Sequence, residues 1–312
     1  MKERIVFMGT ASFSLEVFKM LIDEGYRIVG VVTQPDKRVG RKKTLTMSEV
    51  KVEALKYDIP IIQPTKIRND YQAVLDLRPD MIITAAYGQI IPKVILDYPR
   101  YGCINVHASL LPKYRGGAPV HRCIMNGDRL TGVTIMYMAE KMDAGNIIKQ
   151  EMVPIYDNDN VGKLYDRLTV IGASLLNKTL PYIFDKSNDS IPQDESQVTY
   201  AYNLTREDEK IDWNMTSKQV YNHVRGTNPW PGSYSTYNNK TVKIWDGHDQ
   251  LDDSLLDYDN GTIVAISKTA IGVKVSDGIY FISELQVEGK KKMLVRDYLN
   301  GHSMFELYTK FE

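Results

Sequence analysis

Cysteine is scarce in this sequence of 312 residues, which contains Cys103 and Cys123 and no CxxC pair. Such low use of cysteine excludes a disulfide framework and a cysteine-rich zinc site, and it is typical of a reducing compartment. No apolar run approaches the roughly 18 residues of a membrane span. The first run, Ile5 to Met8, is too short for the core of a signal peptide. We therefore expect a soluble, cytoplasmic protein.

The formal net charge is zero, because 39 basic residues balance 39 acidic ones. A role in binding nucleic acid must then depend on a local basic patch. The hydrophobic share of 43% is near the globular average and excludes a wholly disordered chain. The length predicts two domains, since domains usually have roughly 100–200 residues.

Several common site motifs are absent. Gly9 follows the first apolar run without the second and third glycines of a dinucleotide fingerprint, so we expect it to make a tight strand-to-helix turn. The sequence has no Walker A motif and no G-x-S-x-G nucleophile elbow. Its five histidines form neither HExxH nor a close ligand pair, and we therefore expect no metal site.

The first half of the chain alternates short apolar runs with amphipathic stretches. Predicted strands cover 4–8, 28–32, 59–62, 81–85, 104–106 and 133–136, and predicted helices cover 12–24, 49–57 and 161–184. This alternation predicts an α/β fold with a mostly parallel sheet covered by helices. Because ligands bind outside the carboxyl ends of strands in such sheets, we expect the site in the loops that follow them.

The second half has a different pattern. Residues 185–205 are polar and are interpreted as a linker, and the Asp-rich stretch 246–259 as a solvated loop. From about residue 206 onward, short apolar runs separated by turn-like pairs such as Asn260–Gly261 predict a small antiparallel β domain, with a barrel as the expected form. The predicted domains are thus 1–184 and 206–312.

Two polar side chains lie where one predicted strand ends. Alternation along a strand places Asn105 and His107 on the same face. An amide N–H and an imidazole N–H can both donate to a developing oxyanion, although a lone histidine at a strand end is usually structural. In the Gly-rich loop beyond, Arg115 either pairs with an anion or caps a carbonyl.

Asp143 lies in a turn just before Gly145, between two strand-like stretches. An aspartate at such a position is by default part of the turn itself. It gains a second role if it meets His107 in space, because a carboxylate beside an imidazole can orient it, hold its charge or relay a proton. The sequence leaves both interpretations open.

A basic run follows the second predicted strand. Five of the seven residues from Lys37 to Lys43 are basic and none is acidic. Both a solvated loop and a contact with a phosphate backbone are compatible with this run. A second run, Lys290 to Lys292, lies in the predicted C-terminal domain.

Motifs along essentially the whole chain resemble the methionyl-tRNA formyltransferase family. They are Phe7-Met8-Gly9-Thr10 with Phe13, Thr33-Gln34-Pro35-Asp36 followed by the basic run, Ala86 to Pro92, Asn105 and His107 with Ser109-Leu110-Leu111-Pro112, Lys210 to Trp213, and Asn228 to Pro231. The Asn-x-His with SLLP and Asp143, 36 residues after His107, is similar to the signature of folate-dependent formyltransferases. The basic run and the C-terminal motifs favour the tRNA enzyme.

The resemblance implies a Rossmann-like catalytic domain followed by a small oligonucleotide-binding-like β-barrel. It implies transfer of a formyl group from 10-formyltetrahydrofolate, a co-substrate, to the amino group of initiator methionyl-tRNA, by a protein expected to be monomeric. The implied catalytic residues are Asn105, His107 and Asp143. The implied folate contacts are Ser109, Leu110, Leu111, Pro112, Tyr87, Gly88, Gln89 and Ile90. The implied tRNA contacts are Lys37, Arg38, Arg41, Lys42 and Lys43.

Other functions share parts of this pattern. A formyltransferase acting on an amino-sugar nucleotide would use the same trio and can have two domains, but it does not need the basic run. A glycinamide formyltransferase would be a single short domain. A non-catalytic RNA-binding protein would lack the trio, whereas hydrolysis of the folate to formate would use the trio without an amine acceptor.

Overall fold

The computed structural model describes residues 2–39, 43–252, 257–301 and 303–312. Two predicted tRNA contacts, Arg41 and Lys42, lie outside the described residues. The chain groups into two compact units. The first comprises Met1–Pro119, Leu130–Pro154 and Tyr165–Tyr202, and the second comprises Val120–Arg129, Ile155–Leu164 and Asn203–Glu312.

Strands and helices alternate through the first unit. Its strands are β1 (Ile5–Gly9), β2 (Ile28–Val32), β3 (Lys37–Val39), β4 (Thr44–Thr46), β5 (Ile61–Ile62), β6 (Met81–Ala85), β7 (Cys103–His107), β8 (Leu130–Tyr137) and β9 (Ile147–Pro154). Its helices are α1 (Ser12–Asp23), α2 (Glu49–Ala54), α3 (Gln72–Asp76) and α4 (Lys93–Leu96), with 3₁₀ turns at Leu55–Tyr57 and Glu195–Gln197. Helices α5 (Pro119–Met125) and α6 (Val161–Phe184) have residues in both units.

The main sheet has the order β5-β2-β1-β6-β7-β8-β9. Its pairs are parallel from β5 to β7, and β8 and β9 are added antiparallel. Strands β1 and β6 are buried along their whole length, which explains their almost continuous apolar sequences. The prediction of a mostly parallel, covered sheet is confirmed.

Several elements of this unit, among them α3, α4 and β9, have no counterpart in the sequence prediction. Helices α3 and α4 have five and four residues, too few to show a helical period. Strand β9 contains exposed polar positions because it is the edge of the sheet, so it lacks the apolar run of a central strand. The predicted helix over 49–57 is divided into α2 and a 3₁₀ turn.

The second unit is built on an antiparallel sheet. Its strands are β10 (Ser233–Tyr237), β11 (Lys240–Leu251), β12 (Ile263–Ile266), β13 (Ile271–Val275), β14 (Gly278–Val287) and β15 (Met293–Leu294), and its helices are α7 (Arg206–Glu209), α8 (Ser217–Thr227) and α9 (Val295–Leu299). The order is β10-β11-β14-β13-β12, with β15 beside β14. Glu312 exchanges two backbone hydrogen bonds with Thr236 of β10, and Ile263 of β12 bonds Tyr308 and Thr309. The C-terminal residues therefore link the two edge strands, which gives the sheet a barrel-like closure.

Two interpretations of polar segments are corrected by the structure. Residues 246–251 of the Asp-rich stretch are not a loop but the end of β11, because β14 supplies partners for their backbone groups. Residues 185–202, predicted as linker, are grouped with the first unit. Within that unit, Arg115 and this segment form backbone hydrogen bonds, from Arg115 N to Thr199 O and from Ala201 N to Arg115 O.

Among the described helices, none combines the length and the apolar character that crossing a bilayer requires.

Candidate active site

Asn105 is held at the carboxyl end of β7 by its neighbour on β6. Thr84 Oγ1 donates to Asn105 Oδ1 at 2.8 Å. Since the amide oxygen is the acceptor in that bond, the NH₂ group must point the other way. There Asn105 Nδ2 lies 3.4 Å from Asp143 Oδ1, a long hydrogen bond.

His107, two residues further along β7, is buried and has its ring held by backbone. Its Nε2 lies 3.0 Å from the carbonyl oxygen of Tyr114. A carbonyl only accepts, so Nε2 carries the proton of this bond. Nδ1 then faces the carboxylate of Asp143, with Oδ2 at 3.7 Å. Nδ1 is therefore the ring nitrogen that is free to exchange a proton.

Asp143 lies in the turn between β8 and β9 with a left-handed backbone, at a φ of 49°. Its carboxylate does not cap its own turn. Oδ2 accepts from the backbone N–H of Gly116 at 2.9 Å, and Oδ1 accepts from Asn105. Gly116 has a φ of 120°, and a Cβ there would lie 2.7 Å from the carbonyl oxygen of Ala201. The Gly-rich loop thus brings a backbone donor to Asp143 at a position where only glycine fits.

Of the two roles considered for Arg115, pairing with an anion and capping a carbonyl, the structure supports the first, because Arg115 pairs with a carboxylate of its own unit. Its side chain is fully buried, and Nη2 donates to Glu195 Oε1 at 2.7 Å. Nε and Nη2 also donate to Gln193 Oε1 at 3.0 and 2.9 Å. The Arg115 guanidinium and the Lys141 ammonium lower the pKa of Glu195 to about 2.

The Ser109-Leu110-Leu111-Pro112 segment is bonded into the unit. Ser109 is fully buried, and its Oγ donates to the carbonyl of Lys113 at 2.7 Å. Thr134 Oγ1 donates to the carbonyl of Ser109 and accepts from the N–H of Leu111. Leu110 and Pro112 are only half-buried. Of the four predicted folate contacts in this segment, Leu110 and Pro112 present surface.

The segment from Tyr87 to Ile90 also has residues that are held within the unit and residues that present surface. The Tyr87 side chain is buried in an apolar cluster, and burial raises the pKa of its hydroxyl, which has no hydrogen-bond partner among the described residues. The Gln89 amide bonds the backbone of Ile67 and Pro64. Gly88 is exposed, and the Ile90 side chain is 81% exposed. A ligand at this loop would therefore meet backbone near Gly88 and the side chain of Ile90.

The described start of the basic run lies in a strand, β3, which pairs with β4 just after the run. Strands β3 and β4 pair from Lys37–Thr46 to Val39–Thr44, and Lys37, Arg38 and Lys43 are exposed. At the base of these two strands, which we call the basic hairpin (described residues 37–39 and 43–46), Lys51 Nζ lies 2.7 Å from Asp36 Oδ2. The Lys51 ammonium lowers the pKa of Asp36, and Gln63 adds a hydrogen bond to it.

Four groups of the site were not predicted from the sequence: Thr84, the carbonyl of Tyr114, the N–H of Gly116 and the amide of Gln193. Gln193 lies in the polar segment interpreted as linker, where no local signal separates it from its neighbours. In the part of the chain that the structure describes, no three His, Cys, Asp or Glu side chains are grouped as metal ligands would be.

Comparison with known proteins places the chain in a family. Residues 3–180 match the family described as Formyl transferase, and residues 203–303 match the Formyl transferase C-terminal domain. The methionyl-tRNA formyltransferase of Bacillus cereus (strain B4264) is 52% identical over 302 residues, which cover 96% of this chain and 95% of that protein. The methionyl-tRNA formyltransferase of Halalkalibacterium halodurans is 50% identical over 301 residues, covering 96% and 94%. These matches confirm the resemblance seen in the motifs.

Solved structures share the fold at lower identity. WlaRD, a sugar 3N-formyl transferase, superposes with a TM-score of 0.66 at 22% identity, over 93% of this chain and all of that one. HypX from Aquifex aeolicus in complex with tetrahydrofolic acid has a TM-score of 0.63 at 19% identity, over 96% of this chain and 47% of that one. At such identities the likeness establishes the architecture alone.

Proposed function

We propose that this chain, which belongs to the formyl transferase family, transfers a formyl group from 10-formyltetrahydrofolate to the free amino group of initiator methionyl-tRNA. The products are N-formylmethionyl-tRNA and tetrahydrofolate. One observation carries the proposal. The Asp143 carboxylate lies 3.4 Å from Asn105 Nδ2 and 3.7 Å from His107 Nδ1, in a chain that is 52% identical to a methionyl-tRNA formyltransferase.

The surface that follows the carboxyl ends of β6 and β7 has the chemistry to hold a folate. Gly88 offers exposed backbone, and Ile90 offers an exposed apolar side chain, so together they suit a flat heteroaromatic ring that needs both. Leu110 and Pro112 add half-buried apolar surface. When bound, the folate supplies the formyl carbon attached to its N10 atom.

Asn105 is proposed to stabilise the negative charge that develops on the formyl oxygen. Its NH₂ group is oriented by Thr84 and makes one long bond, of 3.4 Å, to Asp143, so a donor is available to the oxyanion while the amide oxygen keeps its anchor. Catalytic hydrogen bonds are often long before the substrates bind. A donor fixed in advance stabilises this charge with little reorganisation.

His107 is proposed to move the proton. The attacking methionyl amine must be neutral, and it becomes positively charged as it forms the bond to the formyl carbon. Nδ1 of His107 takes that proton, because Nε2 is occupied by the carbonyl of Tyr114. The Asp143 carboxylate, 3.7 Å away, stabilises the resulting imidazolium. His107 then returns the proton to the departing folate nitrogen.

The tRNA is proposed to meet the basic hairpin. Lys37, Arg38 and Lys43 are exposed and carry positive charge in a protein of zero net charge. Arg41 and Lys42 belong to the same run and complete the predicted contact. The monomeric state and the cytoplasmic location stay predictions.

A competition among acceptors tests the proposal. Purified protein with 10-formyltetrahydrofolate is offered initiator methionyl-tRNA, elongator methionyl-tRNA or a nucleotide-linked amino sugar, and the formylated product is measured. We expect initiator methionyl-tRNA to be formylated with the highest kcat/KM. Preferred formylation of the amino sugar, or formate release that needs no acceptor, would contradict the proposal.

A further inference from the structure

We propose that Gln193 is a positioning residue for Asp143, held in place by the buried Arg115. This inference rests on the proposed function, since it concerns the orientation of Asp143 for that reaction. Gln193 lies 50 residues from Asp143 along the chain. It touches none of the reacting groups and acts through the backbone of the turn.

The amide of Gln193 has a complete set of partners. Its Nε2 donates to the carbonyl of Asp143 at 2.7 Å and to the carbonyl of Gly145 at 2.8 Å. Its Oε1 accepts from Nε and Nη2 of Arg115. Both N–H groups and both oxygen lone pairs are therefore used, and rotating the amide by 180° would break all four bonds. The side chain has one orientation, and the turn must match it.

The turn that carries Asp143 needs such support. Asp143 has a left-handed backbone, which a residue other than glycine adopts only when its surroundings hold it there. Its carboxylate is shared between Asn105 and Gly116, and its distance to His107 is already 3.7 Å. A small shift of the turn would change all three relations together.

Arg115 connects this support to a second point of the same turn. Its guanidinium is fully buried and pairs with Glu195, which lies two residues after Gln193. Glu195 in turn binds Lys141, two residues before Asp143, at 2.6 Å. Residues 193–195 thus contact the turn at Lys141, Asp143 and Gly145. Moving residues 193–195 away would leave the buried charge of Arg115 without its counter-ion, which is costly, so this ion pair favours the observed position of the segment.

The substitution Gln193→Glu separates positioning from general stability. A glutamate keeps the oxygen atom that accepts from Arg115 and adds a negative charge beside the guanidinium. It cannot donate to the carbonyls of Asp143 and Gly145, and it repels them. If Gln193 only partners Arg115, the variant keeps its activity; if it positions Asp143, the variant loses turnover.

The experiment compares Gln193→Glu and Gln193→Ala with a matched control, Gln197→Ala. Gln197 lies in the same segment, is exposed, and its amide donates to Asp194 at 2.8 Å. For Gln193→Glu we expect kcat to fall on the order of 10²-fold, as a displacement of about 1 Å can cause. The KM values for methionyl-tRNA and folate should change less than about twofold, since binding surfaces are intact. Gln197→Ala should equal the parent.

A second readout does not depend on activity. The amide of Gly116 donates to Asp143 Oδ2, so its hydrogen exchange, followed by NMR, reports the position of that carboxylate. We expect faster exchange at Gly116 in both Gln193 variants and not in Gln197→Ala. Turnover and Gly116 exchange equal to the parent would overturn the inference, and so would lost turnover with unchanged exchange. Failure of the proposed function is distinct: the parent itself would not formylate methionyl-tRNA, while Gly116 exchange would still respond to Gln193.

Discussion

Two regions of the first unit, the trio of Asn105, His107 and Asp143 and the basic hairpin after β2, serve opposite needs. The side chains of Asn105, His107 and Asp143 are buried or half-buried, and their polar atoms form hydrogen bonds of 2.8–3.0 Å with other groups of the unit. In the basic hairpin, Lys37 and Arg38 extend into solvent. The first region is defined by geometry and the second by charge.

The difference follows from what each region is proposed to bind. A reaction at a single carbon requires groups held to within about 0.5 Å, which only a well-packed set of neighbours provides. Contacts with a phosphate backbone are sequence-blind and depend on the number of charges. Substitutions should therefore act through kcat in the first region and through tRNA affinity in the second.

The largest expected effect is that of Asn105→Ala. Removing one donor to a developing oxyanion typically lowers turnover on the order of 10²–10³-fold, about 2.7–4 kcal/mol. Steady-state kinetics should show this loss in kcat, with little change in the KM for tRNA. Asn146→Ala is the control, because its exposed amide contacts Ser190 at 3.4 Å and not the trio. A kcat within threefold of the parent would remove Asn105 from the proposed mechanism.

The next test disturbs the trio without changing any of its members. A Cβ at Gly145 would lie 1.8 Å from the carbonyl oxygen of Tyr137, so the turn of Asp143 must shift in Gly145→Ala. Overpacking of this kind costs about 1–3 kcal/mol of stability. We expect a lower urea midpoint together with about a tenfold loss in kcat.

The control for this variant is Gly301→Ala, where an added Cβ would meet its nearest neighbour, the carbonyl of Tyr298, at an ordinary 3.7 Å. It should leave both the urea midpoint and kcat near the parent values. Full activity in a destabilised Gly145→Ala protein would show that the position of the turn does not matter to the reaction.

The basic run is tested by replacing Arg41, Lys42 and Lys43 together with alanine. We expect weaker tRNA binding, a higher KM for tRNA and an unchanged affinity for folate. The slope of log affinity against log salt should become shallower by up to roughly 0.9 for each lost phosphate contact. If affinity and slope equal those of the parent, the hairpin is not the tRNA contact, and the same substitutions at Lys290 to Lys292 become the next experiment.

The smallest effect is expected at the base of the hairpin, in Asp36→Asn. Lys51 lowers the pKa of Asp36 from its ordinary 3.8, so folding favours the ionised form. A depressed pKa contributes stability that is present above 3.8 and is lost as the pH falls through the folded value. Urea titrations should therefore show the parent more stable than the variant at neutral pH, with the difference vanishing in acid.

Asp97→Asn serves as the comparison for this pH dependence. Asp97 pairs with Lys93, but both side chains are at least 60% exposed. Exposed pairs contribute little to stability, so this variant should follow the parent across the titration. A difference between parent and Asp36→Asn that stays constant with pH would contradict the proposed role of the Asp36 carboxylate.

Local pattern predicted much of the first unit. The strands β1 and β6 were identifiable because full burial gives each a continuous apolar run, and α6 because one buried face gives it a helical period. Alternation along β7 placed Asn105 and His107 on one face. The short helices α3 and α4 escaped prediction because four or five residues carry no period.

Polar segments were the harder case, since a polar residue looks the same whether it meets water or another side chain. Residues 185–202 were interpreted as linker from their composition, yet Gln193 and Glu195 bond the turn of Asp143 and the guanidinium of Arg115. Residues 246–251 were interpreted as a solvated loop, yet they belong to β11 and pair with β14. Nothing within either segment distinguishes these outcomes.

The amino-acid sequence by itself determined the main buried strands and long helices of the first unit, the shared face of Asn105 and His107, and the charge of the basic run, because each depends on residues close together in the chain. The tertiary structure alone decided that Asp143 accepts from Asn105 and Gly116 rather than from its own turn. It also decided that Arg115 meets Glu195, 80 residues away. Such contacts depend on how distant segments pack, and neither composition nor spacing contains that information.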